Sequence, residues 1–309
     1  GTSPDGNSIV GIGYEISVFD SYGNLFDTIQ VGEYGLRRPV STDAFNFSPD
    51  NKSIVVGQYN GTVTLVDLET KAFLSWETEY SEIWVVRFSP IGNQLLTFGC
   101  EESENLPIST CVENSVKLWD LQGDLIYSIK DVGVVKAVDF GPNGKIITSA
   151  CIDPVTLEND FLFCDTIVKL WDDTGNYIVI ENTGAVDTIR SNPDQTLFVT
   201  ASRFSGSEEL NKPKLWTENG ELVKVLIEDD LNGSISSLGF SPSGEKLFIT
   251  GASGKLEVWD FNSNTFKKIQ PFSGTLRQAF WVGQDNEGLV TIGCDTLPFC
   301  ERTQVKVWD

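Results

Sequence analysis

Val168-Lys169-Leu170-Trp171-Asp172 reads as a short strand closed by a Trp-Asp pair. The pattern is not confined to these five residues. It recurs as ISVFD at 16–20, VTLVD at 63–67, VKLWD at 116–120, PKLWT at 213–217, LEVWD at 256–260 and VKVWD at 305–309. Seven copies ending at residues 20, 67, 120, 172, 217, 260 and 309 lie 43 to 53 residues apart. That is close to the ~40–45 residues of a four-stranded propeller blade, with room for loop insertions.

A second marker precedes each copy. It is Ser3-Pro4-Asp5-Gly6, then Phe47-Ser48-Pro49-Asp50, Phe88-Ser89-Pro90-Ile91-Gly92, Phe140-Gly141-Pro142-Asn143-Gly144, Asn192-Pro193-Asp194 and Phe240-Ser241-Pro242-Ser243-Gly244. The seventh form, between Phe280 and Gly288, is degenerate. Pro fixes φ and Gly tolerates positive φ, so these are turns. Each unit then resolves into four strands. Strand a is a run such as 134–140, and the Pro-containing turn follows it. Strand b is a run such as 145–150 or 246–251, and strand c is the Trp-Asp copy. Strand d comes after a turn such as Gln122-Gly123-Asp124 or Thr174-Gly175-Asn176. Short β-rich runs separated by turn residues at regular spacing predict an all-β array. No stretch has a convincing amphipathic helical pattern.

On these residues the chain resembles the WD-repeat family of β-propellers, over essentially its whole length. The carrying residues are Trp119-Asp120, Trp171-Asp172, Trp259-Asp260 and Trp308-Asp309, together with the Phe-Ser-Pro turns; Trp216 holds the same place in the fifth copy. The resemblance implies one seven-bladed domain spanning 1–309, with blade boundaries near 32, 79, 131, 183, 231 and 271, and the strand c aromatics in the core. The family often carries a Gly-His pair whose His joins a network with Ser, Trp and Asp. This chain has no His, and the first two copies have Phe19 and Val66 where the others have Trp. That network cannot form, so apolar packing between blades must carry more of the stability. Strand a of the first blade and strand d of the last are missing or nearly so, which predicts about 26 strands where a closed ring of seven four-stranded blades has 28.

The composition narrows function further. Forty-four acids against 22 bases give a net charge of −22, which argues against nucleic acid or an anionic membrane as partner, since both need a basic footprint. No apolar run approaches the ~18 residues that span a bilayer. Without His there is no imidazole base, no Ser-His-Asp triad and no His metal ligand. No catalytic residue, metal ligand or cofactor is assigned. Gly35-Leu36-Arg37-Arg38-Pro39 has Pro where phosphoinositide-binding propellers have Gly, and the net charge opposes that use.

The six cysteines fall in one structural place. Cys100, Cys151 and Cys294 end strand b; Cys111, Cys164 and Cys300 lie seven or eight residues before the Trp of the next strand c. Strands b and c are antiparallel neighbours, so the two stems of their connecting loop can meet the ~4.4–6.8 Å Cα separation of a disulfide. The expected pairs are Cys100–Cys111, Cys151–Cys164 and Cys294–Cys300, which implies an oxidising compartment: extracellular, cell-surface or periplasmic. Sequons at Asn46, Asn51, Asn60 and Asn232 permit N-glycosylation there.

In propellers of this type the b–c loops emerge on one face. Their tips here carry Leu106 and Ile108, Phe161 and Phe163, and Leu297 and Phe299 among acids. Constrained loops with apolar tips suit a contact surface, because preorganisation lowers the ordering cost of binding. The acids Glu101, Glu102, Glu104, Asp153, Glu158, Asp160 and Asp165 are expected to be solvated loop surface. The expected function is a non-catalytic extracellular interaction scaffold whose partner is another protein or a copy of itself. A second reading is a filament or layer subunit joined by strand exchange at the incomplete blade. A third is a hydrolase or lyase working through carboxylates or a metal at the channel mouth.

Overall fold

The computed structural model describes residues 1–31, 43–101, 114–129, 134–151, 155–156, 162–163, 166–181, 183–202, 212–226, 235–251, 254–282, 288–295 and 304–308. Among these, 26 strands form seven antiparallel sheets arranged as propeller blades, and two short strands form a separate ribbon. Blade one holds Ser8–Ile12, Ile16–Asp20 and Leu25–Ile29. Blade two holds Phe45–Phe47, Ser53–Gly57, Thr62–Asp67 and Phe73–Glu77. Blade three holds Tyr80–Phe88, Gln94–Glu101, Asn114–Asp120 and Leu125–Ile129. Blade four holds Val135–Phe140, Ile146–Cys151, Thr166–Trp171 and Tyr177–Ile180. Blade five holds Thr188–Ser191, Leu197–Ala201, Lys214–Thr217 and Leu222–Val225. Blade six holds Ile235–Phe240, Lys246–Gly251, Leu256–Asp260 and Thr265–Ile269. Blade seven holds Thr275–Val282, Gly288–Cys294 and Gln304–Trp308.

Blades one and seven have three strands each among the described residues. In blade one a stub stands where strand a would run. Gly1 and Val10 exchange backbone hydrogen bonds at 2.8–2.9 Å, and Thr2 bridges to Ile9.

Strand b is the physical centre of each blade. It is flanked by strands a and c and covered on both faces, so it is apolar almost throughout: every residue of Ile146–Cys151 is buried. Alternate residues of strand b serve different seams. Leu95 packs toward blade two, while its neighbour Leu96 packs toward blade four. Six buried clusters result, one at each seam from blade one–two to blade six–seven. The strand c Trp belongs to the seam with the preceding blade: Trp119 lies with Val55 and Val63, Trp171 with Leu96 and Phe98, and Trp216 with Ile147 and Val168.

The two sequence markers are built by side-chain caps. In the a–b turns, Ser3, Ser48, Ser89 and Ser241 accept the amide of the residue five positions on through Oγ, at 2.9–3.1 Å, and Asn192 does so through Oδ1 at 2.8 Å. In the c–d turns, the Asp of the Trp-Asp pair accepts turn amides. Asp20 takes Tyr22 and Asn24, Asp120 takes Gln122 and Asp124, and Asp172 takes Thr174 and Asn176. Side-chain bonds from Asn24 Nδ2 and Thr174 Oγ1, together with these amides, hold Asp20 and Asp172 below the usual carboxylate range. Three residues after the Asp, Gly123 and Gly175 adopt φ of +89° and +84°, where a Cβ would be strained.

Candidate functional site

Two regions depart from a plain repeat: the b–c end of the blades and the central channel.

Beneath the b–c loops the frame is uniform. The indole Nε1 of Trp119, Trp171, Trp216 and Trp308 donates to Oγ1 of Thr97, Thr148, Thr200 and Thr291 at 2.8–2.9 Å. Each of these Thr lies on strand b, two residues after the partner of its Trp. In place of a network through His, a Trp–Thr pair holds the strand c indole. Blade six breaks the rule. Trp259 pairs in register with Leu247, and the position two residues on is Ile249. Thr250 comes one residue too late and bonds to Ser236 and the Ser237 carbonyl instead. Trp259 Nε1 is buried without a hydrogen-bond partner among the described residues.

Cys100, Cys151 and Cys294 each lie three residues beyond the Trp-binding Thr of their blade. The three stems therefore stand at one height on the frame. All three are buried, and there is no free cysteine among the described residues. Cys111, Cys164 and Cys300 lie outside the described residues, as do Leu106, Ile108, Phe161, Leu297, Phe299, Asn232, Asp309 and the 35–39 stretch. Within the blade four loop, Val155–Thr156 pairs with Leu162–Phe163 as a two-stranded ribbon, which places Phe163 on a β-hairpin.

Two expectations are corrected. Glu101 is not solvated loop surface. Its carboxylate accepts from Ser115 Oγ at 2.5 Å and meets Lys117 Nζ at 3.0 Å. Lys117 is only 1% exposed; it also reaches Glu79 at 2.8 Å and lies over the Tyr80 ring, so its charge needs these partners. Asn46 is not a free sequon. Its Oδ1 accepts the Phe88 amide at 2.9 Å across the blade two–three seam, and the residue lines the channel. Asn51 is half-buried and accepts the Asp5 amide through Oδ1 at 3.1 Å, and Asn60 is exposed.

The channel holds what the sequence did not signal. Strand a is the innermost strand, and the residue before each Phe-Ser-Pro-type marker points to the axis side. In blades three, four and five these residues are Arg87, Asp139 and Arg190. Asp43, just before strand a of blade two, joins them. Its Oδ1 accepts from Arg87 Nη2 at 2.5 Å and from Arg190 Nη2. The Arg190 bond joins blade two to blade five, three blades apart, and so crosses the channel. Arg87 Nη1 also donates to the Asp43 carbonyl at 2.9 Å, and Arg87 Nε lies 3.7 Å from Asp139 Oδ1. Asp139 accepts the amides of Phe140 and Ser191. The two arginines hold Asp43 far below the usual carboxylate range against the cost of its burial. Burial wins at Asp139, whose pKa is raised despite Arg87. Two cations and two carboxylates thus neutralise one another.

Asp43 and Arg190 of this quartet also line a cavity of about 630 Å³, walled by blades five, six, seven, one and two. It extends to Pro4, Pro193 and Pro242 of the a–b turns, at the end opposite the b–c loops. No group of three or more His, Cys, Asp or Glu able to hold a metal ion occurs among the described residues, and no helix is long and apolar enough to cross a membrane.

Residues 220–260, covering the strand c–d turn of blade five through strand c of blade six, match the WD domain, G-beta repeat family. The chain is also 24% identical over 268 residues to "Telomerase protein component 1" of Rattus norvegicus, a match covering 74% of this chain and 9% of that protein. Seven antiparallel blades, Trp-Asp strand ends locked by Trp–Thr pairs and the match over residues 220–260 agree: the chain is a seven-bladed β-propeller built from WD-like repeats.

Proposed function

We propose that the propeller is a non-catalytic scaffold that binds a protein partner through the b–c loops of blades three, four and seven. The observation that carries the reading is the common height of Cys100, Cys151 and Cys294 on a frame fixed by Trp–Thr bonds. Three long loops leave one end of a rigid body at equivalent points, which preorganises them for binding. The pairs Cys100–Cys111, Cys151–Cys164 and Cys294–Cys300 close these loops in an extracellular or cell-surface setting, a reading supported by the lack of any free cysteine among the described residues. With 44 acids against 22 bases, the partner is a protein and not a nucleic acid. The similarity to a telomerase component covers 9% of that protein and brings none of its associations to this chain.

Two measurements test this reading. Peptide mapping without reduction should recover the three pairs; six free thiols would remove both the staples and the compartment. Shortening the blade three and blade four loops to four-residue turns should leave the melting temperature of the frame nearly unchanged. The partner recovered from the native source by the full chain should then be lost. Equal recovery by the trimmed chain would move the contact elsewhere.

A further inference from the structure

We propose that the channel cavity is a binding site for a small organic acid, one carboxylate on an apolar body, independent of the b–c loop surface. Its volume of about 630 Å³ falls within the ~300–1,000 Å³ of small-molecule sites. Its wall is divided by chemistry. Leu238, Phe240, Phe248, Ala279, Trp281 and Ile292 supply apolar surface. Thr188, Ser237, Arg277 and Gln278 line the same space, and their side chains have no hydrogen-bond partner among the described residues.

The sign of the ligand follows from the charges. Asp43 and Asp139 are answered by Arg87 and Arg190, so the quartet is neutral. Among the described lining residues, Asp43 and Arg190 answer each other and Arg277, on strand a of blade seven, has no ion-pair partner, in a chain whose net charge is −22. A lone guanidinium with adjacent amide and hydroxyl groups matches a carboxylate, which can accept two parallel N–H bonds. Low-dielectric walls strengthen that attraction relative to open water. A bare inorganic anion would leave the apolar wall unused.

The test is ligand-observed NMR with titration calorimetry on the whole chain, using phenylacetate and hexanoate, their primary amides, and sulfate. The acids bind and the amides do not. Arg277→Gln weakens the acids by about tenfold or more, as expected on losing a charge-assisted pair. Lys52→Gln, which removes one positive charge from an exposed a–b turn, leaves binding unchanged. Arg277 is exposed, so its replacement leaves the fold intact, which thermal unfolding verifies. Failure of both acids to bind overturns the proposal. So does equal binding of the amides, equal binding by Arg277→Gln, or sulfate displacing the acids at matched concentration.

Discussion

The outer band of the propeller and its channel are made of the same strands and follow opposite rules. In the band, one solution is copied: Trp to Thr, Asp to the turn amides, Ser to the turn after strand a. In the channel the equivalent position changes charge from blade to blade. The position that is Arg87 in blade three is Asp139 in blade four and Arg190 in blade five, with Asn46 and Gly239 in blades two and six. Repetition suffices where each blade meets an equivalent neighbour. The channel has a single axis that all blades share, and identical charges there would repel. Its stability therefore depends on complementary, non-repeated residues.

Substitutions separate the two kinds of stabilisation. Asp43→Asn removes the carboxylate that two arginines share and leaves them poorly paired in a confined space; it should cost about 3 kcal/mol in urea unfolding. A loss below about 1 kcal/mol would mean that water screens the channel as it does a surface pair. The same variant tests the sign of the acid response. The folded-state pKa of Asp43 is depressed, so its contribution is present above about pH 4, the unfolded carboxylate value, and is lost as pH falls below it. Asp139 is raised, so its protonation favours the folded state as pH falls toward that same value. Asp43→Asn should therefore lose less stability than the parent chain on acidification below about pH 4, and Asp139→Asn should not share that effect. Equal acid limbs in all three chains would place the titration elsewhere.

Smaller effects belong to the band. Thr148→Val keeps the shape but orphans the Trp171 indole N–H, at a cost of about 2 kcal/mol. Among the described residues Trp259 Nε1 already lacks a hydrogen-bond partner. Trp171→Phe should thus cost about 1 kcal/mol more than Trp259→Phe, because only the first loses a hydrogen bond. Equal costs would show that the Trp–Thr bond adds nothing beyond packing. At the low end, Ser48→Ala should cost about 1 kcal/mol by uncapping the Ser53 amide in one a–b turn.

The band was legible in the sequence because copying leaves a spacing. VKLWD at 168–172 and the Phe-Ser-Pro turns placed strands b and c of each blade, and the strand deficit in blades one and seven followed from the same count. Even the Trp–Thr bond had a readable trace: LLTFG at 95–99 and LVTIG at 289–293 put Thr two residues after the strand's first apolar position, and LFITG at 247–251 does not. The channel left no such trace. Asp43 and Arg190 are 147 residues apart and share no motif, and only the ring brings them together. Glu101 was misplaced for a related reason: it looks like the first residue of an acidic loop, but it is the last residue of strand b, where Lys117 can reach it.

The bond between Asp43 and Arg190 also bears on the order in which the molecule is assembled. Each seam cluster needs only the next blade to be present, so those contacts are nearly local and can accumulate along the chain. The tie between residues 43 and 190 encloses the whole of blades two, three and four, and the loop-closure entropy it opposes is correspondingly larger. It cannot form until blade five has wrapped round to face blade two. A growing chain thus carries the Asp43 carboxylate paired with Arg87 alone until curvature is established. The tie then acts as a check on that curvature, since a stack of blades with the wrong twist would leave Asp43 and Arg190 apart.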